Sequence, residues 1–463
     1  MGSPSFGGPV SYRRMLRRQK TESFMTAGNN DDRPTKTPRR PHVLRIGELW
    51  RTHRQLMIFL IAGGLGGFAG PIFETTFNNY LDDTFQMGNE TRGALEFPRE
   101  APGFLVTVST GILAALSETR VAAIAALVAA LGMLGLGALG RRQLWILMQA
   151  FMCTQSAGTH LGMPINRSIG MSLARRNQEG RRLGQINSVR VAAAIGGSLL
   201  VLLLLNKLGL HYRWTFLAGA VAYALSGAAL MFMSPTVGSR QRPRFAVNKR
   251  YWLFYALSIL FGARKQIFIT FGPWVLIKVH GQEAAVFAGL WMVSSICGVF
   301  WQPLVGKLVD HWGERAVLMA DACVLVLVCA GYGFGDKLGL GSNTIYLLYA
   351  CYILDQLMFA VGMARATYLK KIAVSPDHVA SSLALGISLD HTVSMTIPRL
   401  GGWVWDRNGK YGFRYVFAGG ACIALLTLLF ASFIRIPEGA SGGHEMQADE
   451  PGIPRVLDEG GEG

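Results

Sequence analysis

The chain has 463 residues, of which 51% are hydrophobic and 16% are charged. A soluble domain of ordinary composition carries about 25% charged residues, so the composition excludes an ordinary soluble enzyme. The chain is also basic, because 45 Lys and Arg against 28 Asp and Glu give a net charge of +17. Such an excess is typical of proteins that contact nucleic acid or an anionic membrane, or of membrane proteins with basic cytoplasmic loops. The positions of the charges decide among these classes.

Long apolar stretches recur along the chain. Residues 121–140 contain no charged residue, and a helix of about 20 apolar residues crosses the hydrocarbon core of a bilayer. Lipid cannot satisfy free backbone groups, so such stretches are predicted to be helices. The sequence therefore predicts an all-α integral membrane protein with twelve transmembrane helices in two pseudo-symmetric six-helix bundles. The predicted spans are 56–81, 98–117, 120–139, 143–173, 183–206, 212–234, 251–278, 283–305, 315–336, 343–370, 380–404 and 411–435.

Polar segments divide the chain. Residues 1–55 hold 12 Lys and Arg and four acids, and this basic segment is predicted to be a disordered cytoplasmic tail. No apolar core precedes Leu56, so no cleavable signal peptide is expected. A basic linker containing two prolines, 235–250, separates the N-terminal bundle (56–234) from the C-terminal bundle (251–435). Residues 436–463 are predicted to be a second disordered cytoplasmic tail.

Charges outside the spans predict the orientation. Loops on the side of the N-terminal tail carry 14 cations and the opposite loops carry 11, while the tail adds 12 to the first side. Because positive loops stay in the cytoplasm, both termini are predicted to be cytoplasmic, in a multi-pass protein of the cell (inner) membrane. The eleven cations assigned to the opposite loops are Arg92, Arg99, Arg141, Arg142, Lys207, Arg213, Lys278, Lys337, Arg407, Lys410 and Arg414.

A short motif follows the eighth predicted span. The segment 306–315 reads Gly-Lys-Leu-Val-Asp-His-Trp-Gly-Glu-Arg, and it resembles the loop signature of the major facilitator superfamily. The residues that match are Gly306, Leu308, Asp310, Gly313 and Arg315, whereas His311 and Glu314 depart from the signature. A counterpart after the second span, 111–120, is degraded, with Ala115 and Glu118 at two signature positions.

The resemblance covers about residues 56–435. It implies two bundles that rock about a central site, with a latch on the cytoplasmic side. Gly306, Asp310, Gly313 and Arg315 are the gating residues it implies, with Gly306 letting two helices approach closely. The alternative is that these are ordinary solvated loop charges.

The resemblance also implies that the first, fourth, seventh and tenth spans line the central cavity. Ionisable residues inside spans are costly and mark functional positions. Arginine binds carboxylate or phosphate through two parallel hydrogen bonds, and an excess of cations favours an anionic or zwitterionic solute. Structural ion pairs with acids in the spans are the alternative, and Lys265 has the further option of extending to a polar surface. The predicted substrate-binding residues are Arg167, Arg264, Lys265, Arg365, Asp355 and Gln356.

Proton coupling requires a group that changes its charge during the transport cycle. Glu74, Asp390 and His391 are the predicted proton-coupling residues, because carboxylates and imidazoles in spans can do this. Adjacency on a helix does not itself bring the side chains of Asp390 and His391 together. His160 is interpreted as a helix-packing residue, and Arg190 as half of an ion pair between helices.

These observations predict a secondary active transporter of a small organic solute, anionic or zwitterionic, that works by alternating access with proton coupling. The alternatives are an exporter of drug-like amphipathic compounds and a transporter-like sensor or assembly partner that uses the basic tail. No phosphate loop, HExxH motif or nucleophile elbow is present, so no enzyme is predicted. We expect a monomer whose partners are the solute, the proton and the lipid bilayer, with no nucleic acid and no cofactor. The six cysteines make no metal-ligand spacing, so no metal is predicted.

Overall fold

The computed structural model describes residues 46–139, 142–174, 179–238 and 248–436. Most of both predicted tails and the centre of the linker lie outside these ranges. The described residues are helical and contain no strand. Residues from His53 onward form one compact unit. The α-helices are α1 (Ile46–Phe85), α2 (Asn89–Ala94), α3 (Glu96–Phe104), α4 (Val106–Ile112), α5 (Glu118–Ala138), α6 (Trp145–Ser172), α7 (Glu179–Val201), α8 (Tyr212–Met231), α9 (Trp252–Lys278), α10 (Ala284–Phe334), α11 (Thr344–Met358), α12 (Gly362–Ile372), α13 (Pro376–Arg407) and α14 (Phe413–Ser432).

The fold confirms an all-α membrane protein. Within the described residues, eight helical stretches are long and apolar enough to cross a bilayer. Large apolar side chains such as Ile112, Phe300 and Leu327 are at least 70% exposed, which fits a surface covered by lipid rather than by water. Each of the twelve predicted spans overlaps a helical stretch, and the number of membrane crossings stays a prediction.

The longest helical stretch, Ala284–Leu338, has 55 residues. A straight helix of this length, at about 1.5 Å per residue, would extend about 80 Å, far more than the roughly 30 Å of one crossing. The backbone leaves the helical conformation at Gly313, where φ is 78° and ψ is 164°. Positive φ favours glycine, since it has no Cβ. The break therefore divides the stretch where the sequence separates its eighth and ninth spans.

The second predicted span is less regular than expected. Instead of one helix over 98–117, the chain forms α3 and α4, with the short helix α2 just before them, and ends in a 3₁₀ turn at Leu113–Ala115. Arg92 and Arg99 lie in α2 and α3 and are only 2% and 9% exposed, so the prediction that they are loop residues was wrong, while the side of the membrane stays a prediction. The reason is that neighbouring glutamates neutralise them, which lets charged residues enter the interior.

The first half of the described chain (53–238) packs on the second half (248–436) through several helices, and polar bonds such as the one from Lys278 to Asp82 join the halves as well. Helices α2 and α3 pack on α13, and α7 packs on α10. The first contact is backbone against backbone, because a Cβ on Gly93 would lie 2.1 Å from the Pro398 carbonyl oxygen, and one on Gly402 would lie 2.3 Å from that of Asn89. Small residues permit such close approach between membrane helices. This contact positions the charged residues of α3 against α9 and α13.

Candidate functional site

A buried carboxylate, Glu96, is the centre of a charged cluster between the two halves. Its Oε1 lies 2.6 Å from Arg92 Nη1, and its Oε2 lies 2.6 Å from Arg99 Nε. Gln266 on α9, in the second half, donates to the same Oε2 at 2.7 Å. Arg92 also donates from Nε to Asn78 on α1 at 2.8 Å. Glu96 is fully buried, so these donors replace the water that a buried carboxylate loses.

Glu100, one turn farther along α3, connects this cluster to two histidines. Arg99 Nη2 lies 3.4 Å from its carboxylate, and His391 Nδ1 on α13 lies 2.8 Å from Oε2. The His391 ring meets the His160 ring of α6 edge to face, with centroids 4.9 Å apart. His160 Nδ1 lies 2.9 Å from the Ser156 carbonyl oxygen. A carboxylate of the first half and imidazoles of both halves therefore converge.

Asp390 and His391 are both predicted proton-coupling residues, and in the structure their side chains make different contacts. Asp390 Oδ1 lies 2.7 Å from Lys265 Nζ, and Ser394 donates to it at 3.2 Å. His391 contacts Glu100 instead. Neighbouring residues on a helix point about 100° apart, which explains the separation. Lys265 does not reach a polar surface, since its side chain is 13% exposed.

The predicted substrate residues Arg264, Asp355 and Arg365 come together in the second half. Arg264 is 3% exposed, and its Nη1 lies 3.4 Å from Asp355 Oδ1. The guanidiniums of Arg264 and Arg365 lie 5.1 Å and 3.6 Å from the centroid of the Phe261 ring. Arg264 and Asp355 thus form the kind of structural ion pair that was the alternative to solute binding. The guanidinium of Arg365 has no carboxylate within ion-pair distance among the described residues.

A small cavity of about 20 Å³ is lined by both arginines. Asp321, a buried carboxylate that the sequence analysis did not single out, lines it with Arg264 and Arg365. Each of these three side chains has a buried polar atom with no hydrogen-bond partner in the described part of the chain. The volume holds about one water molecule, which can bridge such atoms. An organic solute does not fit there in this arrangement.

Glu74, Arg167 and Gln356 lie apart from these pairs. The Glu74 side chain is exposed, although its neighbours Thr75 and Thr76 are buried. Its carboxylate interacts electrostatically with Arg99 and with Tyr352 of the second half. Arg167 is exposed and Gln356 is half-buried, and neither has an ion-pair or hydrogen-bond partner in the residues that the structure describes.

The predicted gating residues Gly306, Asp310 and Arg315 lie in the helical parts of α10 rather than in an open loop, and Gly313 is the break in that helix. Asp310 and Arg315 are exposed. A Cβ on Gly306 would meet nothing within 4 Å, so in this arrangement no helix packs closely against it, contrary to the prediction. The fully buried neighbour Glu314 is instead the ion-paired residue, with Lys371 Nζ 2.7 Å from its Oε1. The role of Gly306, Asp310, Gly313 and Arg315 in gating stays a prediction.

The charged face of 92–100 was not predicted from the sequence. Its charges alternate in sign at spacings of four and three residues, Arg92, Glu96 and Arg99. Such spacing places the side chains on one face of a helix, where opposite charges pair. This pattern was the available signal, and hydropathy did not use it because the charged segment extends across the start of the predicted span at residue 98. His160 was also interpreted as a packing residue only.

Comparisons with known proteins agree with this fold. The sequence profile of the Major Facilitator Superfamily matches residues 100–389, whereas a search of curated proteins finds no match.

Among solved structures, the nucleoside transporter NupG aligns with a TM-score of 0.63 at 16% identity, over 81% of this chain and 97% of that one. A D-xylose-proton symporter aligns with a TM-score of 0.62 at 14% identity, over 84% and 98% of the two chains. A human organic anion transporter aligns with a TM-score of 0.55 at 11% identity, over 82% and 99%. At such low identity these likenesses concern the fold alone. Because the profile covers more than half of the sequence, this chain belongs to the Major Facilitator Superfamily.

Proposed function

We propose that this protein is a secondary active transporter that moves a small anionic or zwitterionic organic solute by alternating access, coupled to protons. The observation that carries the proposal is the exposed carboxylate of Glu74 in the second half of α1, which interacts electrostatically with Arg99 of α3 and with Tyr352 of the second half of the chain. Binding sites of such transporters lie near the bilayer midplane between the repeated halves. The D-xylose-proton symporter among the similar folds supports proton coupling by analogy.

Glu74 differs from the other acids of this region. Glu96, Glu100, Asp355 and Asp390 each have a cationic partner within 4 Å, whereas Glu74 has none in the described part of the chain. An unpaired carboxylate is stable as an anion while water reaches it and as the neutral acid when it does not. Opening and closing of the surrounding space would therefore bind and release a proton at Glu74. Asp390 and His391 are already engaged by Lys265 and Glu100, so we assign them a lesser part.

The charge of the solute is argued from the arginines. Arg264 Nη2 and Arg365 Nε have no hydrogen-bond partner in the described residues, and guanidinium groups bind carboxylates through paired hydrogen bonds. The acids Glu96, Glu100 and Asp321 offset much of the cationic excess that the sequence indicated. A nearly balanced interior favours a zwitterion or a monoanion over a multiply charged anion.

A transport assay tests the coupling. Purified protein in vesicles with a pH-sensitive dye inside is given candidate amino acids and carboxylates under an imposed pH gradient. We expect solute-dependent proton movement with the unchanged protein and none with Glu74→Gln, while solute exchange without a gradient continues. Glu90→Gln is the matched control, because the Glu90 side chain is half-buried and has no ion pair among the described residues. Full proton movement in Glu74→Gln would exclude Glu74 as the coupling group.

A second assay tests recognition of the solute's charge. Arg264→Ala alone leaves Asp355 buried without its partner, so the double variant Arg264→Ala/Asp355→Ala, which removes both charges of the pair, is the informative one. We expect its affinity for an active solute to fall by about 10-fold or more, since a charge-assisted hydrogen bond contributes about 1.5–3 kcal/mol. Unchanged affinity in a folded double variant would contradict a role for Arg264 in binding.

Export of amphipathic compounds is a second candidate function. An apolar cavity of about 340 Å³ lies between α3, α4, α5 and α6, and its walls are aliphatic apart from Ser109. Sites for drug-like ligands are mostly apolar and of about this volume. Efflux of a lipophilic dye from vesicles that is lost in Ala157→Trp, a cavity-filling variant, would favour this function over solute uptake.

A role for the basic tail in binding a lipid surface or a protein remains the alternative of another class. The tail lies mostly outside the described residues, so the proposal rests on its charge alone. Deletion of residues 2–45 distinguishes transport from binding by the tail. If transport survives the deletion, the tail is not required for transport.

A further inference from the structure

We propose that Glu100, His160 and His391 form a binding site for a divalent transition-metal ion such as Zn²⁺. One ligand atom from each side chain can be chosen so that all three lie within 4.8 Å of one another. The three residues come from α3, α6 and α13, which lie far apart in sequence. This inference goes beyond the proposed transport function and does not depend on the identity of the solute.

The donor set matches the chemistry of such ions. Two imidazoles and one carboxylate suit Zn²⁺ and its neighbours in the first transition row, and three protein ligands leave a position for water. Bonds of about 2.0–2.2 Å place neighbouring ligand atoms roughly 3.3 Å apart in a tetrahedral site. His391 Nδ1 and Glu100 Oε2, at 2.8 Å, are already near this separation. The ligand atom of His160 lies within 4.8 Å of the other two, so it is at most about 1.5 Å farther away than the tetrahedral separation.

The surroundings of His160 orient it as in known metal sites. Its Nδ1 lies 2.9 Å from the Ser156 carbonyl oxygen and 3.0 Å from the Ser156 hydroxyl. A ligating histidine usually donates its other ring N–H to a carbonyl or carboxylate, which fixes the tautomer that presents the free nitrogen to the metal. With Nδ1–H donating to the carbonyl, Nε2 of His160 is the free nitrogen. This contact positions the ligand before any metal binds.

Gly103 makes room for the two rings. It lies one turn after Glu100 on α3 and is buried. A Cβ at this position would lie 2.5 Å from His391 Cε1 and 2.7 Å from His160 Cδ2. Any other residue would therefore push the imidazoles away from Glu100. The glycine serves both the close packing of the helices and the convergence of the three side chains.

Charges around the cluster permit a cation to bind. Glu100 lies in the field of Arg99 and Lys265, which would repel a metal ion if they were unpaired. Arg99 lies closer to Glu96, at 2.6 Å, than to Glu100, at 3.4 Å, and Lys265 is paired with Asp390 at 2.7 Å. Glu96 also pairs with Arg92, so the two arginines and the two glutamates balance, and the carboxylate of Glu100 is the acid that faces the imidazoles. Its burial, at 4% exposure, strengthens the attraction to a dication.

A metal ion here would join the two halves of the chain. Glu100 and His160 belong to the first half, and His391 belongs to the second half. Coordination by all three requires α13 to stay against α3. The ion would therefore stabilise the arrangement seen in this structure over any arrangement in which these helices separate.

Calorimetric titration tests the site. Zn²⁺ is titrated into the purified full-length chain in detergent, without a polyhistidine tag, and Co²⁺ is added in parallel because its visible absorption reports coordination number. We expect one Zn²⁺ per chain, a four-coordinate Co²⁺ spectrum and a raised Tm. His160→Gln and His391→Gln are expected to weaken binding by at least about 10-fold, which is the lower limit even for residues that only support a ligand.

Two further variants make the result decisive. Gly103→Ala retains all three ligands but crowds the rings, so weaker binding is expected there as well. His280→Gln removes a histidine outside the cluster and should bind like the unchanged chain. The Tm of each variant is measured without metal to verify that it is folded. Glu100→Asp is used in place of any variant that does not fold. Failure of the unchanged chain to bind Zn²⁺, or binding that is equal in folded His160→Gln or His391→Gln, would overturn the proposal, and neither outcome bears on proton coupling at Glu74.

Discussion

At the scale of single residues, the interior depends on how each buried charge is compensated. Glu96 is fully buried and faces two guanidiniums and one amide. Desolvating these groups is costly, and removing one member of such a set costs more than the set contributes as a whole. Glu96 is therefore the residue in this cluster whose loss leaves the largest uncompensated charge.

Glu96→Gln is expected to lower the stability of the folded protein by about 3–5 kcal/mol, because the buried guanidiniums of Arg92 and Arg99 lose their carboxylate. Thermal unfolding in detergent measures the change. Glu90→Gln, the same substitution six residues earlier, should change stability by no more than about 0.5 kcal/mol, since its side chain has no ion pair among the described residues. Equal Tm values for the two variants would show that the ion pairs around Glu96 contribute little.

The sequence predicted individual charges better than their partners. Arg264, Lys265, Asp355, Asp390 and His391 are all predicted to lie inside spans. The structure places the first four in ion pairs and His391 2.8 Å from the carboxylate of Glu100. The pairings themselves were open, because they join helices that lie far apart in the chain. The spacing of charges in 92–100 was a local signal for ion pairs within one helix face. It was not used because these charges lie at the start of an apolar run.

At the scale of helices, the contact between α2 and α13 is set by glycine. A Cβ on Gly93 would lie 2.1 Å from the Pro398 carbonyl oxygen, which is backbone and cannot rotate away. Proline at 398 also leaves the preceding turn of α13 without one of its hydrogen bonds. The two features together let α2 approach α13 closely enough for α3 to present Glu100 to His391.

Gly93→Ala is expected to destabilise the protein by about 1–3 kcal/mol, because one helix must shift away from the other. Gly111→Ala is the matched control, since a Cβ there meets nothing within 4 Å, and alanine in a helix is more stable than glycine by up to about 1 kcal/mol. Thermal unfolding of both variants checks the prediction. A Gly93→Ala protein as stable as Gly111→Ala would mean that the helices can separate without loss.

The helices themselves were largely predictable, because long uncharged runs of about 20 residues leave few alternatives to spanning helices. The break at Gly313 coincides with the predicted boundary between two spans. The irregular second span was not predicted. Pro98 and Pro102 lie in α3, and charged residues precede the apolar run, so hydropathy alone placed its beginning too late.

At the scale of the whole chain from His53 onward, polar bonds between the two halves concentrate toward the side at which α1 ends. Lys278 Nζ lies 2.5 Å from Asp82 Oδ1, and Asn79 donates to the Gln282 carbonyl oxygen at 2.8 Å. At the other end of the helices, the bond from Asn187 to Gln302, 3.2 Å long, joins α7 to α10. The halves are thus held together on the side that the sequence predicts to be external. Hydropathy cannot predict this, because it carries no information on which of two arrangements is more stable.

Asp406 is the central acceptor on this side. Its Oδ1 accepts from Asn89 Nδ2 at 2.7 Å, and its Oδ2 accepts from the Glu90 backbone N–H at 2.8 Å. Both donors belong to the first half, whereas Asp406 belongs to the second. Asp336 pairs with Arg414 within the second half, so it provides a matched aspartate that does not join the halves.

Asp406→Ala is therefore expected to shift the protein toward an arrangement that is open on this side. Loss of about 1–3 kcal/mol of contact between the halves changes the ratio of two arrangements by about 5- to 150-fold. Spin labels at Leu210→Cys and Leu340→Cys report the separation, since both positions are exposed and lie in opposite halves. The labels are introduced after the six native cysteines are replaced by alanine. A longer distance should become populated in Asp406→Ala and not in Asp336→Ala. Identical distance distributions in the two variants would mean that other contacts, with the packing of α2 on α13 foremost among them, determine which side is closed.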